Sequence, residues 1–71
     1  MVVYRIPESE IEEMRRLPTL AIDGSRELKY QEGDMRMYLD TVDDSVSYDY
    51  LDEIGKLGKM RWKTFFVFGK A

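Results

Sequence analysis

The 71-residue chain predicts an α+β fold: a small antiparallel sheet, made of a meander plus terminal strands, with one or two short helices. Three observations predict it. A capped apolar stripe near the N-terminus stops at a proline, turn residues separate short alternating segments in the middle, and aromatic residues crowd the C-terminal end. A chain of this length supports one domain with a thin core, worth roughly 3–5 kcal/mol of stability.

Val2 to Ile6 is short and β-prone. Ser9-Glu10-Ile11-Glu12 then reads as a capping box, in which the Ser9 hydroxyl accepts from a free helical N–H and Glu12 reaches back. Ile11, Met14 and Leu17 make one apolar stripe, Arg15 and Arg16 suit the negative helix end, and Pro18 stops the segment. A helix over 9–17 is expected. Thr19–Ile22 and Arg26–Tyr30 flank Asp23-Gly24, a pair suited to a tight hairpin turn with positive φ. Met35, Met37 and Leu39 alternate with Arg36, Tyr38 and Asp40, the period of a half-buried strand. These segments predict a three-stranded antiparallel meander.

The stretch from Asp44 fits two periods. Asp44 or Ser45 suits a helix cap, with Val46, Tyr50, Ile54 and Leu57 on one face and Gly58 as terminator. Val46, Tyr48 and Tyr50 also alternate like a strand, and Gly55 weakens a helix by about 1 kcal/mol relative to Ala. Helix over 46–57 is the expectation. Met60 to Phe68 has strong β-propensity.

The composition narrows the chemistry. There is no Cys and no His, so disulfides, zinc knuckles, a thiol nucleophile and an imidazole base are excluded. Asp40, Asp43 and Asp44 lack the spacing and the closing Glu of a calcium loop and read as a solvated acidic turn. Gly55 and Gly58, each followed by Lys, lack a phosphate-cradling loop. No catalytic constellation, cofactor or metal is expected, and the chain reads as a non-enzyme with no small-molecule substrate. The longest apolar run, Phe65–Phe68, is far too short for a membrane span, and no charged-then-apolar leader opens the chain, so an intracellular place is expected.

Charge divides the chain. Residues 1–55 hold 14 acids against six bases, a net of −8, while 56–71 hold five bases and no acid, a net of +5. Residues 1–58 thus form an acidic body and 59–71 a basic aromatic segment of the same domain. Asn is absent and Gln31 stands alone among 35% charged residues, a bias reported for hyperthermophile proteins.

Within the basic segment, Lys59-Met60-Arg61-Trp62-Lys63-Thr64-Phe65-Phe66 resembles the PIP box, the peptide by which replication and repair proteins bind the sliding clamp PCNA. The family pattern is Gln, two free positions, an aliphatic residue, two free positions and two aromatics. Phe65 and Phe66 match the aromatic pair, Thr64 suits the position before it, and Lys63 and Arg61 suit an acidic rim. Lys59 stands where Gln is usual, and Trp62 replaces the aliphatic plug. With the small size and the composition, the motif resembles the family of small Thermococcales inhibitors of PCNA. That resemblance implies a regulator that occupies the clamp's peptide pocket and denies it to replication factors, with Lys59, Trp62, Lys63, Thr64, Phe65 and Phe66 as partner-binding residues. As a strand, the same segment places Trp62, Phe66 and Phe68 on one face as core. A nucleic-acid platform of Lys56, Lys59, Arg61, Lys63, Trp62 and Phe65 is the competing expectation, against which the net charge of −3 argues.

Overall fold

A computed structural model describes residues 4–54 and 58–70. Six strands form one sheet: β1 (Tyr4–Ile6), β2 (Ala21–Asp23), β3 (Arg26–Glu32), β4 (Met35–Asp40), β5 (Val46–Ile54) and β6 (Lys59–Lys70). Helix α1 (Glu8–Arg16) joins β1 to β2. The spatial order is β1-β6-β5-β4-β3-β2. Strands β2 to β6 make one antiparallel meander, and β1 is added parallel to β6 at its far edge. The α+β class stands, and the expected three-stranded meander is the first part of a five-stranded one.

Turn chemistry sets the register. Asp23 pairs with Arg26 around Gly24-Ser25, and Glu32 pairs with Met35 around Gly33-Asp34. In both turns only the first central residue has positive φ, Gly24 at 62° and Gly33 at 55°. That is the requirement of a type II′ hairpin, which glycine meets without steric cost. The hairpin at Asp23-Gly24 therefore forms one residue later than the sequence suggests.

Two expectations are corrected. Residues 46–54 form a strand, not the start of a helix; the remainder of that expected helix, 55–57, and the Val2–Val3 portion of the first strand lie outside the described residues. Strand wins because it pairs Val46, Tyr48 and Tyr50 with Leu39, Met37 and Met35 on β4, pairs Val46 and Tyr48 with Phe68 and Phe66 on β6, and brings the Tyr50 ring against Phe65 and Phe66. The capping box at Ser9 also does not form. The helix starts one residue earlier, with Pro7 at the cap and no side-chain cap hydrogen bond, and the Glu10 and Ile11 N–H groups donate to the Pro7 carbonyl at 3.0 and 3.3 Å. Glu12 instead accepts from Arg15. At the other end Leu17 turns extended (φ −69°, ψ 145°), as the residue before Pro18 must.

The core lies on the face covered by α1. Ile11, Leu39 and Val46 are its sealed centre, with Ile6, Met14, Met37, Tyr48 and Phe68 packed around them. A charged clasp holds the helix over that face. Arg15 reaches Asp44 at 2.6 Å and also pairs with Glu8 and Glu12, while Lys70 reaches Glu8 at 3.0 Å and Asp44 at 3.7 Å. Asp44 sits at the β4–β5 turn with φ 57°, which aims it back at the helix. After the helix, the chain is tied down by Lys29, whose buried amine donates to the Leu17 carbonyl at 3.0 Å and to Thr19 Oγ1 at 2.9 Å.

The acidic body and basic segment meet in these pairs and in Asp52, which takes Lys63 at 3.1 Å and Arg61 at 4.0 Å. Part of the charge asymmetry is therefore internal neutralisation within one sheet. Among the described residues, no helix is long and apolar enough to cross a membrane.

Ile11→Ala removes the one fully buried helix contact with the sheet. It should lower unfolding free energy by about 3 kcal/mol, within the usual range for Ile truncation, read as a fall in the urea midpoint. Acid should act through the clasp. The Arg15 hydrogen bond holds the Asp44 carboxyl below its ordinary value, and the Val42 N–H and Ser25 hydroxyl do the same for Asp40. Depressed carboxylates stabilise the fold above the unfolded value near ~4 and lose that contribution as pH falls through the folded value. The urea midpoint should therefore drop as pH goes from about 5 to about 2, and Asp44→Asn should flatten part of that drop.

Candidate functional site

Aromatic residues gather where β5 and β6 run side by side. From Ile54↔Lys59 the pairing proceeds through Leu51↔Trp62, Tyr50↔Lys63 and Asp49↔Thr64, then shifts to Tyr48↔Phe66. Phe65 is the extra residue of a β-bulge, opposite no partner of its own. A bulge breaks the alternation of side chains, so neighbours that a regular strand would send to opposite faces come to share one. Here they do. The Phe65 ring lies 5.6 Å from that of Tyr50 and the Phe66 ring 6.4 Å from it, both edge-to-face.

The patch continues along the same face. Phe66 stacks on Phe68 at 6.4 Å, and Phe68 meets Tyr48 edge-on at 5.5 Å. Tyr48, Tyr50, Phe66 and Phe68 line a shallow depression of about 240 Å³. Helix α1 covers Phe68 and Tyr48 but stops short of the bulge, leaving Phe65 55% and Phe66 54% exposed. Lys63 flanks the patch on the same face, since it pairs with Tyr50, and Arg61 follows it two residues back. An apolar groove of about 370 Å³ adjoins across Tyr48, bounded by Met14, Leu17 and Met37 and rimmed by Glu10 and Glu13.

The opposite face is polar and ordered. Arg26 donates to both Asp49 carboxylate oxygens at 3.1 Å, to Ser47 Oγ at 3.1 Å and to Asp23 at 2.8 Å, with its guanidinium 4.2 Å from the centre of the Tyr38 ring. These partners, Asp49 first, raise the Arg26 pKa further above its ordinary value despite partial burial. Asp49 is 4% exposed and takes a third hydrogen bond, from the Thr64 hydroxyl at 2.7 Å. The network therefore pins β6 one residue before the bulge. Beyond it, Arg36 lies 3.8 Å over the Trp62 ring. Two long cations thus shield a sheet face on which no helix rests.

The residues expected to bind a partner are accordingly divided. Phe65 and Phe66 stand open together, with Lys63 beside them. The Thr64 hydroxyl is tied to Asp49, and Trp62 is half-buried on the other face beneath Arg36. The backbone of Lys59 opens β6 opposite Ile54. Trp62 is therefore not on the face of Phe66 and Phe68, as an unbroken strand would have it, because the bulge changes the parity between them. Sequence reasoning missed Tyr48 and Tyr50 as companions of the phenylalanines. Their alternation was the available signal.

The polar cleft of about 520 Å³ beside α1 is lined by Arg15, Glu27, Lys29 and Asp44, whose charges already serve the clasp and the Lys29 anchor. The acidic turn spends its carboxylates locally: Asp40 accepts from the Val42 N–H, Asp43 from the Ser45 N–H, and Asp44 pairs with Arg15. Among the described residues, no group of three or more His, Cys, Asp or Glu is placed to hold a metal ion. No protein-family model, curated protein or solved structure matches the chain.

Thr64→Val tests the anchor of the bulge. It removes one donor from a buried carboxylate that keeps Arg26, and should cost about 1–2 kcal/mol in thermal unfolding. Arg26→Met leaves Asp49 buried without its cation and should cost more, about 3 kcal/mol.

Proposed function

We propose that the protein is a non-enzymatic regulator that binds the sliding clamp PCNA and fills the clamp's hydrophobic peptide pocket, so that replication factors are excluded. The observation that carries this reading is the Phe65–Phe66 pair, adjacent in sequence yet set on one face by the bulge and more than half exposed. Two large rings presented together at low conformational cost are the kind of anchor that dominates binding energy. The resemblance to the PIP box supplies the partner. Lys63 and Arg61 lie beside the rings, where an acidic pocket rim would meet them.

In this reading the pair enters the pocket from a strand instead of from a helical turn. Trp62 stays beneath Arg36 and acts by holding the segment flat, and Thr64 acts by fixing the bulge. The acidic body adds long-range attraction to a basic clamp surface. A second reading is favoured by the openness of Phe65 and Phe66 on a sheet face beside Arg61 and Lys63, an arrangement on which single-stranded nucleic acid stacks.

Phe65→Ala with Phe66→Ala separates these from a merely structural role. Both rings are exposed, so circular dichroism should report a retained fold. Clamp binding, followed by calorimetry, should weaken about a thousandfold, the sum of two anchors worth ~2 kcal/mol each. Unchanged clamp binding refutes the clamp reading. Salt-sensitive binding of oligo-dT that the double variant abolishes, with no clamp binding by the wild type, replaces it with the nucleic-acid reading.

A further inference from the structure

Strand β6 has β5 beside it from Lys59 to Phe68, but on its other side β1 reaches only Phe68, Gly69 and Lys70. Among the described residues, 59–64, before the bulge, therefore form an open sheet edge on the very strand that carries the exposed rings. Such an edge offers unpaired N–H and C=O groups at regular intervals, a template for one more strand. The segment contains no proline, which would remove a donor. The sheet's opposite edge is far less suited, since β2 has three residues and its Asp23 is held by Arg26.

Charge decides what the open edge takes. Lys59, Arg61 and Lys63 fall at alternate positions, and no acid follows them in the chain. Among the described residues, Asp52 faces both Arg61 and Lys63, whose side chains remain 64% and 50% exposed, so positive charge is in surplus there. A second copy laid antiparallel on this edge would bring base against base, and like charges opposite one another destabilise a strand pair. The same bases stabilise a strand with carboxylates opposite them.

We propose that residues 59–64 of β6 accept an extended segment of a partner protein carrying Asp or Glu at alternate positions, which adds a seventh strand to the sheet. Main-chain hydrogen bonds hold the segment and the alternating charge selects it, the division of labour in strand addition generally. The rings of Phe65 and Phe66 follow this edge in the chain and take no part in the contact. The inference stands apart from the identity of the clamp.

The test uses the full chain labelled with ¹⁵N and a terminally blocked peptide of four Glu-Val repeats. Two control peptides replace Glu by Lys or carry N-methyl groups at alternate residues. The Glu-Val peptide should slow amide exchange within 59–64 at least about tenfold, as expected when edge amides gain partners. Its affinity should fall at least about tenfold in the Arg61→Gln, Lys63→Gln variant and on moving to about 0.3 M NaCl, because the attraction is between exposed charges. Neither control peptide should bind. Equal binding of the N-methylated or the Lys-Val peptide overturns the proposal, as does protection confined to other residues or no binding of the Glu-Val peptide. Self-association of the peptide-free chain through the same amides also overturns it. The Phe65→Ala, Phe66→Ala variant keeps the two accounts separable: it should bind the Glu-Val peptide as the wild type does while losing the clamp. Loss of both contradicts strand addition, because the rings and not the edge would then be holding the peptide.

Discussion

The pairing of β5 with β6, and the one-residue shift within it between Tyr48 and Asp49, is the constraint on which the rest of the structure depends. On the helix side of that shift, Val46 and Tyr48 meet Phe68 and Phe66 and carry the core outward from Ile11 and Leu39. On the reverse side, Asp49 meets Thr64 and draws Arg26 across from β3. A regular ladder serves one of these needs at a time, since Thr64 and Phe66 have the same parity in an unbroken strand. The bulge lets a polar anchor face one way and an aromatic pair face the other.

The anchor itself is costly to assemble. A carboxylate as buried as Asp49 is tolerated only because two guanidinium hydrogen bonds and a hydroxyl satisfy it. Such a network contributes less to net stability than to uniqueness here: a slip of β6 by one residue would strand Asp49 without Thr64 and turn Lys63 and Phe66 to the polar face. Specificity of register is what the functional reading requires, because the exposure of two adjacent rings follows from register and from nothing local.

That dependence explains what was legible in the sequence. The strand Met35–Asp40 was readable to its ends because its apolar alternation is clean, the Gly33 turn precedes it and an acidic turn follows it. The helix was readable from Ile11 and Met14 and from Pro18, although its start moved because Pro7 accepts the first N–H groups and leaves Ser9 no orphan donor to cap. The stretch from Val46 was not settled by its own residues. Val46, Tyr50 and Ile54 fit a helical face, Val46, Tyr48 and Tyr50 fit a strand, and the choice was made by Phe66 and Phe68 about twenty positions away in the chain. The bulge at Phe65 was invisible for the same reason. It exists only relative to a partner strand, as does the Arg26–Asp49 pair, whose members are 23 residues apart. The motif at 59–66 was legible as a list of residue types, but not the division of Trp62 from the phenylalanines.

The placement of both phenylalanines on one face can be measured directly in solution. In a nuclear Overhauser spectrum of the free protein, the Tyr50 ring should show cross-peaks to the rings of both Phe65 and Phe66, and the Trp62 ring should show them to the Arg36 side chain. Cross-peaks from Trp62 to Phe66, with Tyr50 meeting only one of the two phenylalanine rings, would mean an unbroken strand with those rings on opposite faces, and would contradict the account at its base.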